Sequence, residues 1–216
     1  MDKNMMVDEI LYENYLKSLL AGRRSECRDM VQNLIDRKID IKQLYSDFFQ
    51  RSMYAVGELW ETNRITVANE HLATSITESL LNLSYPALFA APHTGRKAVI
   101  SCSANEYHQV GGKMVADIFE LNGWDGHFLG ANSPAEDMVQ FIQEVKPDIV
   151  GLSLSILSNI DHLKHHIEVI RADFPNLDLM IGGQAFRWGG MDVVKGVSNA
   201  EYIPSLDRLE TMIKGM

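Results

Sequence analysis

Cysteine is scarce in this chain of 216 residues: Cys27 and Cys102 stand far apart, so neither a disulfide framework nor a cysteine metal cluster is available. A reduced, cytoplasmic setting follows as the simplest expectation. No apolar run approaches the roughly 18 residues of a membrane helix. The opening MDKNMMVDEI has no basic segment leading into an apolar one, so no signal segment is expected. Positive charge is in deficit as well, with 20 Lys and Arg against 29 Asp and Glu and a formal net charge of −9. With no basic cluster to offset it, direct binding of nucleic acid or of an anionic membrane is not expected. No G-x-G-x-x-G follows a strand, no P-loop is present and H-E-x-x-H is absent, which removes the phosphate-cradling and zinc-protease readings.

What remains is the composition of a globular protein, 46% hydrophobic and 23% charged, long enough for one large domain or two small ones. Through residue 91 the apolar period is helical. One helix carries Leu11, Tyr15, Leu16, Leu19 and Leu20, and a second carries Cys27, Val31, Leu34 and Ile35. A third aligns Tyr45, Phe49, Met53, Val56 and Trp60, and a fourth, from about Thr66, aligns Leu72, Ile76, Leu80 and Leu83. Short polar breaks between them suit a four-helix bundle over residues 1–91.

APHTGR, residues 91–96, reads as a linker. Over 97–216 the pattern alternates between short strands (KAVISCS, GHFLG, DIVGLSLS, DLMIGG, AEYIP) and helical segments near 108–122, 134–146, 160–173, 190–196 and from 206. Ser133, Pro134 and Glu136 read as a helix start with a serine cap and a capping-box acid. Repeated βα units with buried strands predict a Rossmann-like, flavodoxin-like parallel sheet of five strands covered by helices, with ligands at the strands' carboxyl ends. The fold class is therefore a helical bundle followed by an α/β domain.

Four constellations carry candidate chemistry. In SANEYHQVGG the acid Glu106 precedes His108, with Gly111 behind them, at the mouth of the first strand. An imidazole with a carboxylate on its other nitrogen is a metal-ligand arrangement, although a surface histidine in a βα loop has the same spelling. Ser153 and Ser155 after the third strand, and Gly182 and Gly183 after the fourth, open a slot for a long ligand or simply serve turns. Trp60 and the pair Glu70–His71 face a cavity or sit in a bundle core. His162 and His166, four apart on a helix, have zinc-site spacing with no third ligand, and a solvated helix face explains them.

Together E-x-H-x-x-G, S-x-S and G-G behind a helical module resemble the cobalamin-binding proteins, whose usual spelling is D-x-H-x-x-G, S-x-L and G-G. The resemblance implies His108 as the lower cobalt ligand of cobalamin bound base-off, with Glu106 hydrogen-bonded to it. It implies a contact between Ser153 and the nucleotide tail, with Gly182 and Gly183 lining the tail's slot. Trp60, nine residues, then Glu70–His71 is similar to the W-x9-E-H pattern of light-dependent adenosylcobalamin regulators, and implies that this group meets the adenosyl side. Where some of those regulators carry a histidine after the tryptophan, this chain has Glu61.

The resemblance implies a light sensor rather than an enzyme. Adenosylcobalamin would be the cofactor, and light-driven Co–C cleavage would shift the bundle and its contacts with a protein partner, a separate regulator or kinase. No DNA-binding domain is expected, a homo-oligomer is compatible, and a bilin chromophore beside cobalamin is not excluded. The alternative is a corrinoid methyl carrier holding methylcobalamin for a methyltransferase.

Overall fold

The computed structural model describes residues 8–216 as two compact units, the first running to Ala87 and the second Leu88–Met216. The N-terminal stretch read above for a signal segment, and with it the first seven residues of the bundle reading, lie outside the described residues.

The first unit is helical: α1 (Glu9–Leu20), α2 (Arg24–Asp36), α3 (Ile41–Gln43), α4 (Arg51–Glu61), α5 (Val67–Leu81) and most of the short α6 (Tyr85–Leu88), whose last residue begins the second unit. A π-helical stretch, Leu44–Gln50, joins α3 to α4 without a break. Three of the starts, those of α1, α3 and α5, have side-chain caps. Asp8 accepts from the Ile10 N–H, Asp40 from the Gln43 N–H, and Thr66 with Asn69 closes a reciprocal capping box on α5; such side chains satisfy helix donors that have no intrahelical acceptor. α1 packs on α2 and α5, and α4 packs on α5. The core between them is aromatic, with Tyr15, Tyr45, Phe48 and Phe49 all buried and the Tyr15 and Phe48 ring centroids 4.2 Å apart.

Trp60 departs from the apolar stripe expected for its helix. It is 42% exposed at the end of α4, while Ser52 and Val56 are the residues of α4 that are buried.

In the second unit β1 (Lys97–Cys102), β2 (Asp125–Phe128), β3 (Ile149–Ser153), β4 (Asp178–Gly182) and β5 (Ala200–Ile203) form a five-stranded sheet in the order β2-β1-β3-β4-β5. Every pairing is parallel. Between and after the strands come α7 (Val110–Leu121), α8 (Ala135–Val145), α9 (Ile160–Asp173), α10 (Met191–Lys195) and α11 (Leu206–Gly215). α7 packs on β1 and β2 and against α11, whereas α8 and α9 pack together over a core of Val150, Leu152, Ile167 and Ile181. The strand order reverses between β1 and β3, and in open parallel sheets that reversal leaves a crevice beyond the strand ends.

The expected start of α8 needs correction. Pro134, in extended conformation at φ −63° and ψ 143°, is itself the N-cap, and no side chain caps the helix. Its fixed φ suits the extended cap position as well as a first turn, so the cap falls on Pro134 instead of Ser133. Glu136 and Asp137 still lie in the first turn, where acids favour the helix dipole.

Candidate cofactor-binding site

β1 ends at Cys102, and the chain turns at once: the Glu106 N–H donates to the Ser103 carbonyl at 3.0 Å, with Asn105 in the left-handed region at φ 59°. Asparagine tolerates that conformation better than most residues. The turn drops Glu106 into the crevice between β1 and β3, where it is fully buried. Its Oε1 accepts from the His108 N–H at 3.0 Å and from His108 Nδ1 at 2.6 Å. Its Oε2 accepts from the backbone N–H groups of Ser155 at 2.7 Å and Ile156 at 3.0 Å, across the switch point.

Four donors on two oxygens fill the acceptor capacity of an ionised carboxylate. Burial alone would push the Glu106 carboxyl up. The His108 side chain and the three backbone N–H groups together hold it below the ordinary carboxylate range. An ionised carboxylate only accepts, so Nδ1 of His108 carries the proton and Nε2 is the nitrogen whose lone pair can meet a metal. The two partners differ in setting, with the Glu106 side chain 0% exposed and that of His108 46% exposed. The imidazole is held from below and presented to solvent.

The neighbourhood fits a large flat group. A Cβ at Gly111, in the first turn of α7, would meet no heavy atom within 4 Å. Register sets Cys102 beside Ser153 and Ser153 beside Gly182, so the serine and glycine motifs become neighbours at adjacent strand ends. Ser153, Ser155 and Gly182 are half-buried there. Gly183 answers a different need. At φ 113° its Cβ would stand 2.0 Å from the Leu154 carbonyl oxygen, so a side chain is forbidden by the chain's own backbone.

Trp60, Glu70 and His71 belong to the helical unit. Glu70, in the first turn of α5, accepts from the Thr74 hydroxyl at 2.7 Å and faces His71 Nδ1 at 2.5 Å. Its side chain is 13% exposed and that of His71 74%. The carboxylate that would be costly to bury alone is thus satisfied within its own helix, and Trp60 is not a core residue.

The solvated face expected for His162 and His166 is half corrected. His166 is fully buried, its Nδ1 2.9 Å from the His162 carbonyl and its Nε2 2.9 Å from the Ser133 carbonyl. It lies on the face of α9 that also buries Leu163, Ile167 and Ile170. No group of three or more His, Cys, Asp or Glu that could hold a metal occurs among the described residues. No helix among them is long and apolar enough to cross a membrane.

Sequence reasoning missed the asparagines around Glu106. Asn132, left-handed at φ 51°, accepts the Asn105 N–H on its Oδ1 at 2.8 Å and donates its own N–H to the Glu106 carbonyl at 2.9 Å. Asn105 Nδ2 lies 2.7 Å from His162 Nε2, and Asn159 Nδ2 donates to the Asn105 carbonyl at 3.0 Å. The available signal was asparagine in three strand-end loops, a residue suited to left-handed turns.

Residues 96–196 match the B12 binding domain family, and residues 11–83 match a second family with the same description. The chain is 27% identical to the HTH-type transcriptional repressor CarH of Myxococcus xanthus, over 81% of this chain and 59% of CarH. It is 37% identical to the repressor CarA of the same organism, over 42% of this chain and 31% of CarA. It thus spans less than two thirds of either repressor. Dimethylamine corrinoid protein 1 of Methanosarcina acetivorans is 24% identical over 83% of this chain and 85% of its own length. In fold, the monomethylamine corrinoid protein of Methanosarcina barkeri superposes with a TM-score of 0.82 at 12% identity, over 97% of this chain and all of that one.

Proposed function

We propose that this chain, a cobalamin-binding protein with B12-binding domains over residues 11–83 and 96–196, is a light sensor that carries adenosylcobalamin base-off on His108. The observation that supports the ligand assignment most directly is the buried Glu106 carboxylate. By accepting the hydrogen bond from Nδ1–H it leaves the Nε2 lone pair directed away from the acid, and a carboxylate in that position raises the ligand's basicity. Ser153, Ser155 and Gly182 are assigned to the nucleotide tail. Gly183 is assigned to the same slot through the close backbone packing that it alone permits.

Cobalamin would supply a photolabile Co–C bond; the residues of the chain do the rest. His108 would hold the cobalt through Nε2. Trp60 is assigned to the adenosyl side, together with Glu70 and His71, on the strength of the W-x9-E-H pattern. An exposed indole gains most from such a contact, since covering it removes apolar surface from water. Loss of the adenosyl group would uncover Trp60 and alter the surface that the helical unit offers to a partner protein, a separate regulator or kinase. A ligand shifts such an equilibrium only by its differential affinity for the two states.

A second reading, a methyl carrier serving a methyltransferase, is favoured by the match to most of the length of dimethylamine corrinoid protein 1. The two readings separate when adenosyl- and methylcobalamin are supplied in the dark and absorbance and molecular mass are recorded before and after illumination. Adenosyl preference with a light-driven change in spectrum and assembly supports the sensor. Methylcobalamin preference with methyl exchange to a partner enzyme supports the carrier.

A further inference from the structure

The Glu106 side chain explains the orientation of His108, but a carboxylate can orient a ligand only as well as its own backbone is held. That backbone lies in a loop with Tyr107 exposed beside it. Two neighbouring loops hold it from outside. Asn132, from the loop after β2, grips residues 105 and 106 twice, through Oδ1 to the Asn105 N–H and through its own N–H to the Glu106 carbonyl. His162, on the first turn of α9 after β3, takes the Asn105 side-chain amide on Nε2, and Asn159 donates to the Asn105 carbonyl. The carboxylate oxygens of Glu106 and its backbone are therefore fastened to different partners around the same crevice.

We propose that Asn132, Asn105 and His162 are positioning residues for the cobalt ligand, a hydrogen-bonded frame over three strand-end loops that sets the reach of His108. This rests on the assignment of His108 to cobalt. The frame acts through Glu106 and touches no cofactor atom, so its loss shows as a looser ligand and leaves the sheet's own fold in place. The left-handed conformations of Asn105 and Asn132 narrow the substitutions that keep the backbone: aspartate at 132 preserves both the acceptor and the left-handed turn, and glycine at 105 preserves the turn while removing the link to His162.

The test uses the full chain loaded with adenosylcobalamin in the dark. The fraction of histidine-ligated cobalt is read from the absorbance spectrum, the release rate by competition, and the melting temperature on the cofactor-free protein. Asn132→Ala is expected to release cobalamin about tenfold faster and to raise the histidine-off fraction, at the low end of the effect of losing a partner behind a metal ligand. Asn105→Gly and His162→Ala are expected to change both readouts in the same direction by a smaller factor, while Asn132→Asp keeps the wild-type spectrum. A lower melting temperature with an unchanged spectrum and release rate in Asn132→Ala would make the frame purely structural and overturn the proposal, as would equal losses in the alanine and aspartate variants. His108→Ala is the control. If it keeps the wild-type spectrum, the cobalt assignment falls and the frame with it; if it alone loses the spectrum, the assignment stands and only the frame is wrong.

Discussion

The mouth of the sheet and the end of the helical unit hold their candidate residues in opposite ways. At the sheet, the buried carboxylate of Glu106 has four donors, its carbonyl accepts from Asn132, and the carbonyl of the preceding Asn105 accepts from Asn159. In the helical unit Trp60 stands 42% exposed and His71 is open to solvent. Buried side-chain atoms without a partner, which cost about 1–3 kcal/mol each, occur in both units, at Tyr15, Ser52 and Ser84 in the helical one and at Ser103, Glu120 and Arg171 in the sheet one, so what separates the two sites is their exposure. On the proposed reading, the difference suits a division of labour in which one unit presents a pre-formed metal ligand and the other responds to what is bound.

The sharpest way to break the comparison is to disturb the better-held side. Gly183→Leu would drive a side chain into the Leu154 backbone at a left-handed position. A loss of about 3 kcal/mol or more in the stability of the sheet unit is expected, measured by chemical denaturation, with cobalamin binding lost as a consequence. A variant that unfolds at wild-type denaturant concentration would show that the β4 exit is not rigid. Gly182→Ala, whose Cβ would lie 3.1 Å from the Ile203 carbonyl, is the milder probe of the tail slot.

Next in size is Glu106→Gln. An amide nitrogen in place of one oxygen would point N–H groups at N–H groups, because all four partners of the carboxylate are donors. Cofactor retention should fall about 10–100-fold with a rise in the histidine-off spectrum, and His108→Ala should abolish the histidine-ligated spectrum. Wild-type retention in Glu106→Gln would mean that the crevice re-pairs freely and is not pre-formed.

On the helical side the effect should be smaller and selective. Trp60→Ala is expected to weaken adenosylcobalamin by about 1–2 kcal/mol, the scale of burying part of a large aromatic surface, and methylcobalamin much less. Titration of both forms in the dark reads this directly; equal losses would remove Trp60 from the adenosyl side. An exposed indole makes the substitution a cleaner probe than a core tryptophan, since little packing is lost with it.

The smallest effect uses the two cysteines as paired reporters, one in each unit. Both thiols are fully buried, and burial pushes Cys27 up to about 11 and Cys102 up to about 12. Both should resist alkylation at pH 8 in the native protein and react only on opening. With thiols raised in the folded state and near 9 when unfolded, stability from this source is complete below pH 9 and declines as pH climbs through 11 and 12. Mass spectrometry after timed alkylation should show Cys27 modified sooner, because the proposed reading makes the helical unit the part that responds to the cofactor. Faster reaction at Cys102 would reverse the ranking of the two units.

Much of this was legible in the chain before any coordinates. The alternation of KAVISCS, DIVGLSLS and DLMIGG with helical periods marks a parallel sheet because buried strands must be apolar on both faces while their covering helices keep a 3.6-residue stripe. Glu106 and His108 were legible because a strand-end acid and imidazole two residues apart can meet without help from elsewhere. Trp60 was harder, since a helical stripe records which residues lie on one side and not where the neighbouring helix ends. The start of α8 was missed by one residue, because proline's φ serves a cap as readily as a first turn.

The sequence by itself determined the class of each segment, the E-x-H pair and the glycines, since these depend on periodicity and on contacts a few residues long. Only the tertiary structure decided that Glu106 spans β1 to β3, that His166 is buried between two carbonyls, and that Asn132 and His162 converge on Asn105. Those partners come from separate loops, and what brings them together is the strand order β2-β1-β3-β4-β5. Hydrogen bonds are short and directional, so a partner tens of residues away leaves no periodic trace in the chain until the sheet has set its distance.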